Sequence, residues 1–387
     1  MAEWLTATEA LSRLGVRPQT LYAYVSRGRV EARPDAQDPR RSLYSADDVA
    51  RLRNRKSRGR KAALVAEDAI AWGEPVLASA ITTVSAGRLY YRGRDAIELA
   101  QVETLESVAR WLRGHEGPSI RVRLTPSGPP LNDPIARAFA VLAAQAAIMP
   151  PARGRAPKLL AAEAGGLLDA LADAVAGVET EIGTIATPPI HLRLAAAWGC
   201  DAAGADLVRR ALVLLADHEL NPSTFAARVA ASTGASLAAA ALAGLAALSG
   251  PLHGGMGPRV QAFVDESRRV GAEAAVAARL AHGSPIPGFG HPLYPSGDPR
   301  ARALLEVFTP APAFEAVRLA AEAQTGEVAN VDYALTALMA TLGLPGNAAL
   351  LMFAIGRCAG WLAHALEQLQ SGRPIRPRAR YVGPAVG

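Results

Sequence analysis

A mainly α-helical body with very little sheet, preceded by a small helix-turn-helix domain, is the fold class the sequence predicts. Three observations lead there. Half of the 387 residues are apolar but only 5% are aromatic, so the core is expected to be alanine and leucine in closely packed helices. Alanine/leucine segments recur between turns rich in Pro and Gly. Positive charge is gathered at one end: residues 1–61 hold 14 Lys/Arg against 7 Asp/Glu, and the remainder is close to neutral. The length suggests roughly two or three domains.

The N-terminal unit comes first. "TATE" sets Thr6 and Glu9 at capping-box spacing, predicting a helix over Ala7–Leu14 that stops at Gly15. "VRPQTLYAYVSRG" restarts with Pro18 in the first turn and ends at Gly28, and two such helices joined tightly make a helix-turn-helix. A polar turn, "RPDAQDPRRSLY", follows, and then "SADDVARLRNR" with Ser45 as its cap. Through "LGVRPQTLYAYVSRGRV" and "YSADDVARL" this unit resembles DNA-binding domains of the MerR and excisionase type. The resemblance implies that Arg17, Gln19, Thr20 and Tyr22 face a major groove while Arg27, Arg29, Arg40 and Arg41 meet phosphates. A unit retained for docking or assembly is the alternative. The basic run "RLRNRKSRGRKAAL" closes the unit as a linker.

In the body, "PVLASAITTVSAGRLYYRGRD" predicts a hairpin turning at Ala86-Gly87. Alanine/leucine segments follow at 158–176, 193–216, 224–248, 259–281, 312–324, 332–342 and 347–370. The most apolar stretch, Gly234 to Gly250, is short for a membrane span and reads as a buried helix. Cys200 and Cys358 are remote from each other and outside any CxxC pair, which argues against a disulfide framework or zinc site. The start "MAEWLTATEA" lacks a signal-peptide pattern, and a cytoplasmic protein is expected.

Three histidines stand where helices end: His218 in "LADHELNPSTFAAR", His253 in "GPLHGGMG" and His291 in "PIPGFGHPLYPSGDPR". The glycines around His253 suggest close approach of the main chain to a ligand. His115, His191, His282 and His364 read as structural. Without HxxxH spacing or nearby cysteines, no metal is expected. Asp332, at a helix start in "NVDYAL", is either a cap or a general base. Arg300 ends "GDPR", Arg357 is a lone charge in "LMFAIGRCAGWLAHAL", and Arg376 lies in "RPIRPRARYVGP". Converging guanidinium groups with imidazoles would suit a small dicarboxylate.

Taken in order, "ADHELNPSTFAARVAAST", "GPLHGG", "GFGHPLYPSGDPR", "NVDYALTALMATLGLP" and "IRPRARYVGP" resemble the citrate synthase family from about Pro75 to the end. The resemblance implies a citrate synthase-type two-domain helical fold, with a large domain at 70–254 and 345–387, a small domain at 255–344, and the helix-turn-helix domain at 1–62. It implies condensation of acetyl-CoA with oxaloacetate to citrate. Propionyl-CoA, giving 2-methylcitrate, and a DNA-binding regulator that senses oxaloacetate or acyl-CoA are the alternatives. Asp332 would take the methyl proton, His253 would stabilise the enol as a neutral donor beside a helix N-terminus, and His291 would polarise the oxaloacetate carbonyl. His218, Arg300 and Arg357 would hold its carboxylates. Arg376 would reach a partner subunit's site in a homodimer or larger homo-oligomer. Pro287, Gly288, Phe289 and Gly290 would lie against CoA, a co-substrate rather than a permanently bound cofactor. Met256, Pro258 and Pro222 depart from the family pattern, and the first two bear on the acyl pocket.

Overall fold

The computed structural model describes residues 4–14, 21, 24–25, 30–35, 38, 41–50, 77–115, 117, 119, 131–178, 187–379 and 381–384. They fall into two units, Met1–Ala78 and Ser79–Gly387.

In the first unit, helix α1 (Ala7–Leu14) begins at the expected capping box. The Thr6 N–H donates to Glu9 Oε2 at 2.8 Å, and the Glu9 N–H donates back to Thr6 Oγ1 at 3.4 Å. Strands β1 (Trp4–Leu5), β2 (Ala32–Pro34) and β3 (Ser42–Ser45) form an antiparallel sheet in the order β1-β3-β2. This corrects the polar turn expected there: its flanks pair, with Arg33 opposite Leu43. All of β2 is exposed, so it carries no alternating apolar signal. Ser45 caps the next helical turn, accepting from the Asp48 N–H at 3.4 Å. Leu5, Leu14, Leu21, Val30 and Tyr44 are buried together. Arg17, Gln19, Thr20, Tyr22, Arg27, Arg29 and Arg40 lie outside the described residues. Arg41 is exposed and pairs with Asp38 at 3.3 Å.

The second unit opens with β4 (Thr82–Ser85), β5 (Arg88–Tyr91) and β6 (Arg94–Asp95), an antiparallel meander. Ala86 and Gly87 have φ of 48° and 72°, the left-handed pair that a two-residue hairpin demands. Helices then run to the end: α2 (Ala96–Val102), α3 (Leu105–Arg113), α4 (Pro134–Ile148) and α5 (Pro157–Ala176). The 193–216 segment divides into α6 (Ile190–Ala197) and α7 (Ala202–Leu214), because Gly199 turns left-handed and Asp201 caps anew. Likewise 224–248 divides into α8 (Pro222–Ser232) and α9 (Leu237–Leu248) at Gly234 and Ser236. Next come α10 (Met256–Val270), α11 (Ala272–Ala281), α12 (Pro299–Leu305), α13 (Pro312–Thr325), α14 (Val331–Thr341) and α15 (Ala348–Ser371).

Two hydrophobic cores result. The larger surrounds α15, which packs against α3, α5, α7, α8 and α9. By length and composition α15 could cross a membrane, but it is nearly all buried here as a core helix. The smaller core joins α10, α11, α13 and α14 around Phe263, Phe314 and Tyr333. Helix α14 serves both: Val331, Ala334, Leu335 and Leu338 enter the larger core, whereas Tyr333 and Ala337 enter the smaller. Asp332 therefore sits on a helix held from two sides.

Close approach of α15 to the end of α7 depends on glycine. The Gly360 N–H donates to the Ala216 carbonyl at 2.9 Å, and a Cβ at Gly360 would lie 2.6 Å from that oxygen and on top of the Asp217 carboxylate. Gly360→Ala should therefore destabilise the protein by about 1–3 kcal/mol, read as a lowered urea midpoint. An unchanged midpoint would mean that the α7–α15 contact yields freely.

Candidate active site

The turn after α7 is built from buried groups. The Tyr91 hydroxyl lies 3.1 Å from the carbonyl oxygens of both Val213 and Leu214, tying the hairpin to the helix end. Asp217 is fully buried and its Oδ2 accepts from His364 Nε2 at 3.1 Å. Burial alone would raise this carboxyl, but His364 and the Arg357 charge hold it below its ordinary value. His218 follows. Its Nε2 is 2.9 Å from the Tyr294 hydroxyl, and its ring meets that of His291 edge-on with centroids 5.3 Å apart. Asn221 then caps α8, accepting from the N–H groups of Ser223 and Thr224 at 3.1 Å each. Pro222 occupies the first helical position, where a missing N–H costs nothing.

His253 is aimed by the turn between α9 and α10. The Gly254 N–H donates to the Leu248 carbonyl at 2.8 Å, and the His253 N–H to the Gly250 carbonyl at 3.0 Å. A Cβ at Gly254 would lie 2.6 Å from that Leu248 oxygen, and one at Gly255 would lie 2.8 Å from Pro251 Cα. The turn itself thus requires these two glycines. His253 Nε2 is 2.8 Å from Ser223 Oγ, which also accepts from Trp361 Nε1 at 3.0 Å. Burial first, and the Arg357 charge second, push the His253 ring down to about 4, so it is neutral at pH 7. Met256 packs partly buried against the smaller core, and Pro258 is exposed on the first turn of α10.

His291 accepts from the Leu293 N–H on Nδ1 at 3.2 Å. Burial, then Arg300, lowers it to about 4. A neutral ring that accepts on Nδ1 carries its proton on Nε2, free to be donated. The preceding loop braces α14: the Asn330 N–H donates to the Gly288 carbonyl at 2.8 Å, and the Gly290 N–H to the Val328 carbonyl at 3.0 Å. Pro287, Gly288 and Phe289 are buried, and Gly290 partly so. The Phe289 ring packs 4.9 Å from that of Tyr333. Gly288 has φ of 84°, and a Cβ there would lie 2.9 Å from Val260 Cγ2.

Asn330 is the cap of α14, accepting from the N–H groups of Asp332 at 3.1 Å and Tyr333 at 3.4 Å. The Asp332 carboxylate is thereby released from capping. Burial raises it to about 6, with Arg300 drawing it down and Asp298 pushing it up.

The buried arginines differ. Arg300 grips Asp298 with both prongs, Nε to Oδ1 at 2.9 Å and Nη2 to Oδ2 at 2.7 Å. Asp298 Oδ2 also accepts from the Val331 N–H at 3.1 Å, linking α12 to the start of α14. Arg357 donates from Nε to the Leu215 carbonyl at 3.0 Å and lies 4.9 Å over the Phe353 ring. Its Nη2 is buried without a hydrogen-bond partner among the described residues. Burial lowers this guanidinium to about 10. Arg376 stands apart, exposed on the segment after α15.

One charge environment unites the rest. Arg300 and Arg357 both act on His218 and Asp332, Arg357 acts on His253, and Arg300 acts on His291. Sequence reasoning missed Asp298, Tyr294 and Ser223. The cap position in "GDPR" was the available signal for Asp298, whereas nothing local marks Tyr294 or Ser223. Among the described residues no cluster of three His, Cys, Asp or Glu could hold a metal ion.

Neutral imidazole donors, a carboxylate with a raised pKa and an unsatisfied buried cation equip this cluster to bind an anion and move a proton from carbon. The chain is 38% identical to citrate synthase 2 of Bacillus subtilis over 191 residues, covering 45% of this chain and 50% of that protein. It is 34% identical to 2-methylcitrate synthase 2 of Corynebacterium glutamicum over 187 residues, 45% and 48% of the two chains. It thus spans about half the length of these curated relatives. A solved citrate synthase from Thermoplasma acidophilum, in a ternary complex with carboxymethyl coenzyme A and oxaloacetate, superposes with a TM-score of 0.65 at 25% identity, over 81% of this chain and 95% of that one. The model of the citrate synthase C-terminal domain matches residues 137–378, more than half of the sequence, and the chain belongs to the citrate synthase family.

Proposed function

We propose that this protein condenses an acyl-CoA, acetyl-CoA first, with oxaloacetate and water, giving citrate and CoA. The observation that carries this reading is the buried pair Arg300 and Arg357, one with an unsatisfied nitrogen, ringed by neutral His218, His253 and His291 and by ionisable Asp332. Arg300, Arg357 and His218 hold the carboxylates of oxaloacetate. His291 donates Nε2–H to its ketone oxygen. Asp332 removes a proton from the methyl carbon of the thioester while His253 donates to the thioester oxygen. Ser223 Oγ occupies Nε2 of His253, which leaves Nδ1 as the ring nitrogen turned to the thioester; the same hydroxyl lies 2.7 Å from Asn221 Oδ1, to which it donates. Each such donor is worth about 3–4 kcal/mol to the developing oxyanion. The enol carbon bonds to the ketone carbon, and hydrolysis of the product thioester releases CoA.

Residues 255–344 are read as the small domain and the flanking parts as the large one, a division that the separate core around Phe263 and Tyr333 supports. Closure over oxaloacetate would exclude water, with the loop Pro287–Gly290 against CoA. The exposed Arg376 is read as reaching a partner's site in a homodimer. Activity with propionyl-CoA is the companion reading, favoured by the 2-methylcitrate synthase relative. A DNA-binding role for residues 1–62 rests on their net positive charge and the capping-box helix.

Thiol release with acetyl-CoA and with propionyl-CoA should show turnover of at least one, the two differing by about 10–200-fold in kcat/KM for one methylene. If neither is turned over and calorimetry finds no oxaloacetate binding, the enzyme reading fails. Asp332→Asn should lower kcat by about 10²–10⁴-fold while oxaloacetate still binds. In the wild type kcat/KM should fall as pH drops through about 6, where Asp332 takes up its proton, and not at about 4, where His253 and His291 titrate. The sign for stability is opposite. Ionised Asp332 is penalised by burial, so D332N should gain on the order of 3 kcal/mol above pH 6 and nothing below the unfolded carboxyl value. For the N-terminal unit, a mobility shift with the protein's own upstream DNA should weaken with salt. Retardation insensitive to salt would count against a phosphate-binding role.

A further inference from the structure

His364, expected to be structural, is part of a buried polar chain beneath the site. On α15 it is 1% exposed, and its two ring nitrogens have partners of opposite character. On one side Arg228 Nη1 lies 3.0 Å from Nδ1. A guanidinium only donates, so Nδ1 accepts and the ring proton sits on Nε2. On the other side Nε2 is 3.1 Å from Asp217 Oδ2 and donates to it. Arg228, 2% exposed on α8, is itself fixed by Gln368 Oε1 at 3.0 Å and Glu367 Oε2 at 2.6 Å. Asp217 precedes His218 in the chain and is the strongest opposing charge acting on Arg357.

We propose that Arg228, His364 and Asp217 form a positioning relay that keeps Arg357 and His218 ready for a carboxylate of the substrate. This rests on the reading of the site as an oxaloacetate site. The physical need is specific. Arg357 is fully buried and would be costly without a counter-charge. A carboxylate bonded directly to both outer nitrogens of Arg357 would occupy the prongs the substrate requires, whereas Asp298 takes only Nε and Nη2 of Arg300 and leaves its Nη1. Asp217 supplies the charge without a hydrogen bond to Arg357, because His364 holds one carboxylate oxygen and Gly360 leaves the carboxylate room. The main chain from Leu215, which accepts from Arg357 Nε, to His218 is thereby fixed as one piece. His364 touches no substrate in this scheme and is a positioning residue.

Substitution tests it in the full-length protein. In H364L the donor to Asp217 is lost, and the KM and calorimetric Kd for oxaloacetate should rise about 10-fold or more, the loss of a hydrogen bond to a charged group, with the KM for acyl-CoA within about twofold. In H364Q the amide oxygen can accept from Arg228 and the amide N–H can donate to Asp217, so most of the affinity should return. If H364L fails to fold, H364N, whose amide falls short of Asp217, provides the same comparison with H364Q. Wild type that binds and turns over oxaloacetate beside an H364L or H364N of unaltered affinity would overturn the relay alone. A general loss touching both substrates equally, unrescued by H364Q, would also overturn it. Wild type that does not bind oxaloacetate would overturn the parent reading and the relay with it.

Discussion

A guanidinium with a bare nitrogen, buried in the middle of an apolar helix, is the constraint around which this structure is arranged. Arg357 is 1% exposed, and moving such a charge out of water costs several kcal/mol even after relaxation. Folding keeps it because a carbonyl, an aromatic face and a nearby carboxylate share the compensation: Leu215, Phe353 and Asp217. None of them satisfies Nη2. The remaining electrostatic demand is what an anionic ligand would meet, which makes the fold and the binding site two aspects of one balance.

Other features serve that balance. Two glycines of α15 let the end of α7 approach, with Leu215 against Gly356 and Asp217 against Gly360. Tyr91, from the hairpin, holds the same helix end from the opposite side. Arg300 is treated differently: its Nε and Nη2 are taken by Asp298, whose second role is to hold the first N–H of α14. The same aspartate raises the pKa of Asp332 on that helix. A buried ion pair and a carboxyl of raised pKa are thus coupled through one turn of backbone.

The imidazoles follow the same electrostatics. His253 and His291 both fall to about 4, each through burial and then a neighbouring arginine. The neighbouring guanidinium charges help keep these rings neutral, so each retains an acceptor as well as a donor. The neutral form expected for His253 is present, with burial and Arg357 as its causes rather than the helix terminus invoked from sequence.

How much was legible in the sequence follows from which signals are local. Capping boxes, the Ala86-Gly87 turn and alanine/leucine periodicity depend on residues near one another, so α1, the first hairpin and the helical character of the body could be read directly. Breaks at Gly199 and Gly234 escaped because alanine-rich segments look alike on either side. The exposed strand β2 escaped because it has no buried face to pattern. Motif order singled out His218, His253, His291, Asp332, Arg300 and Arg357 as candidates, and the sequence by itself determined their kinds and, for all but the mid-helix Arg357, their places near helix ends or loops. Only the tertiary structure decided that Asn330 rather than Asp332 caps α14, that the glycines beside His253 serve the turn, and that His364 faces Asp217. Those are contacts between side chains or helices remote in the chain, and their strength depends on burial and distance, which no local pattern records.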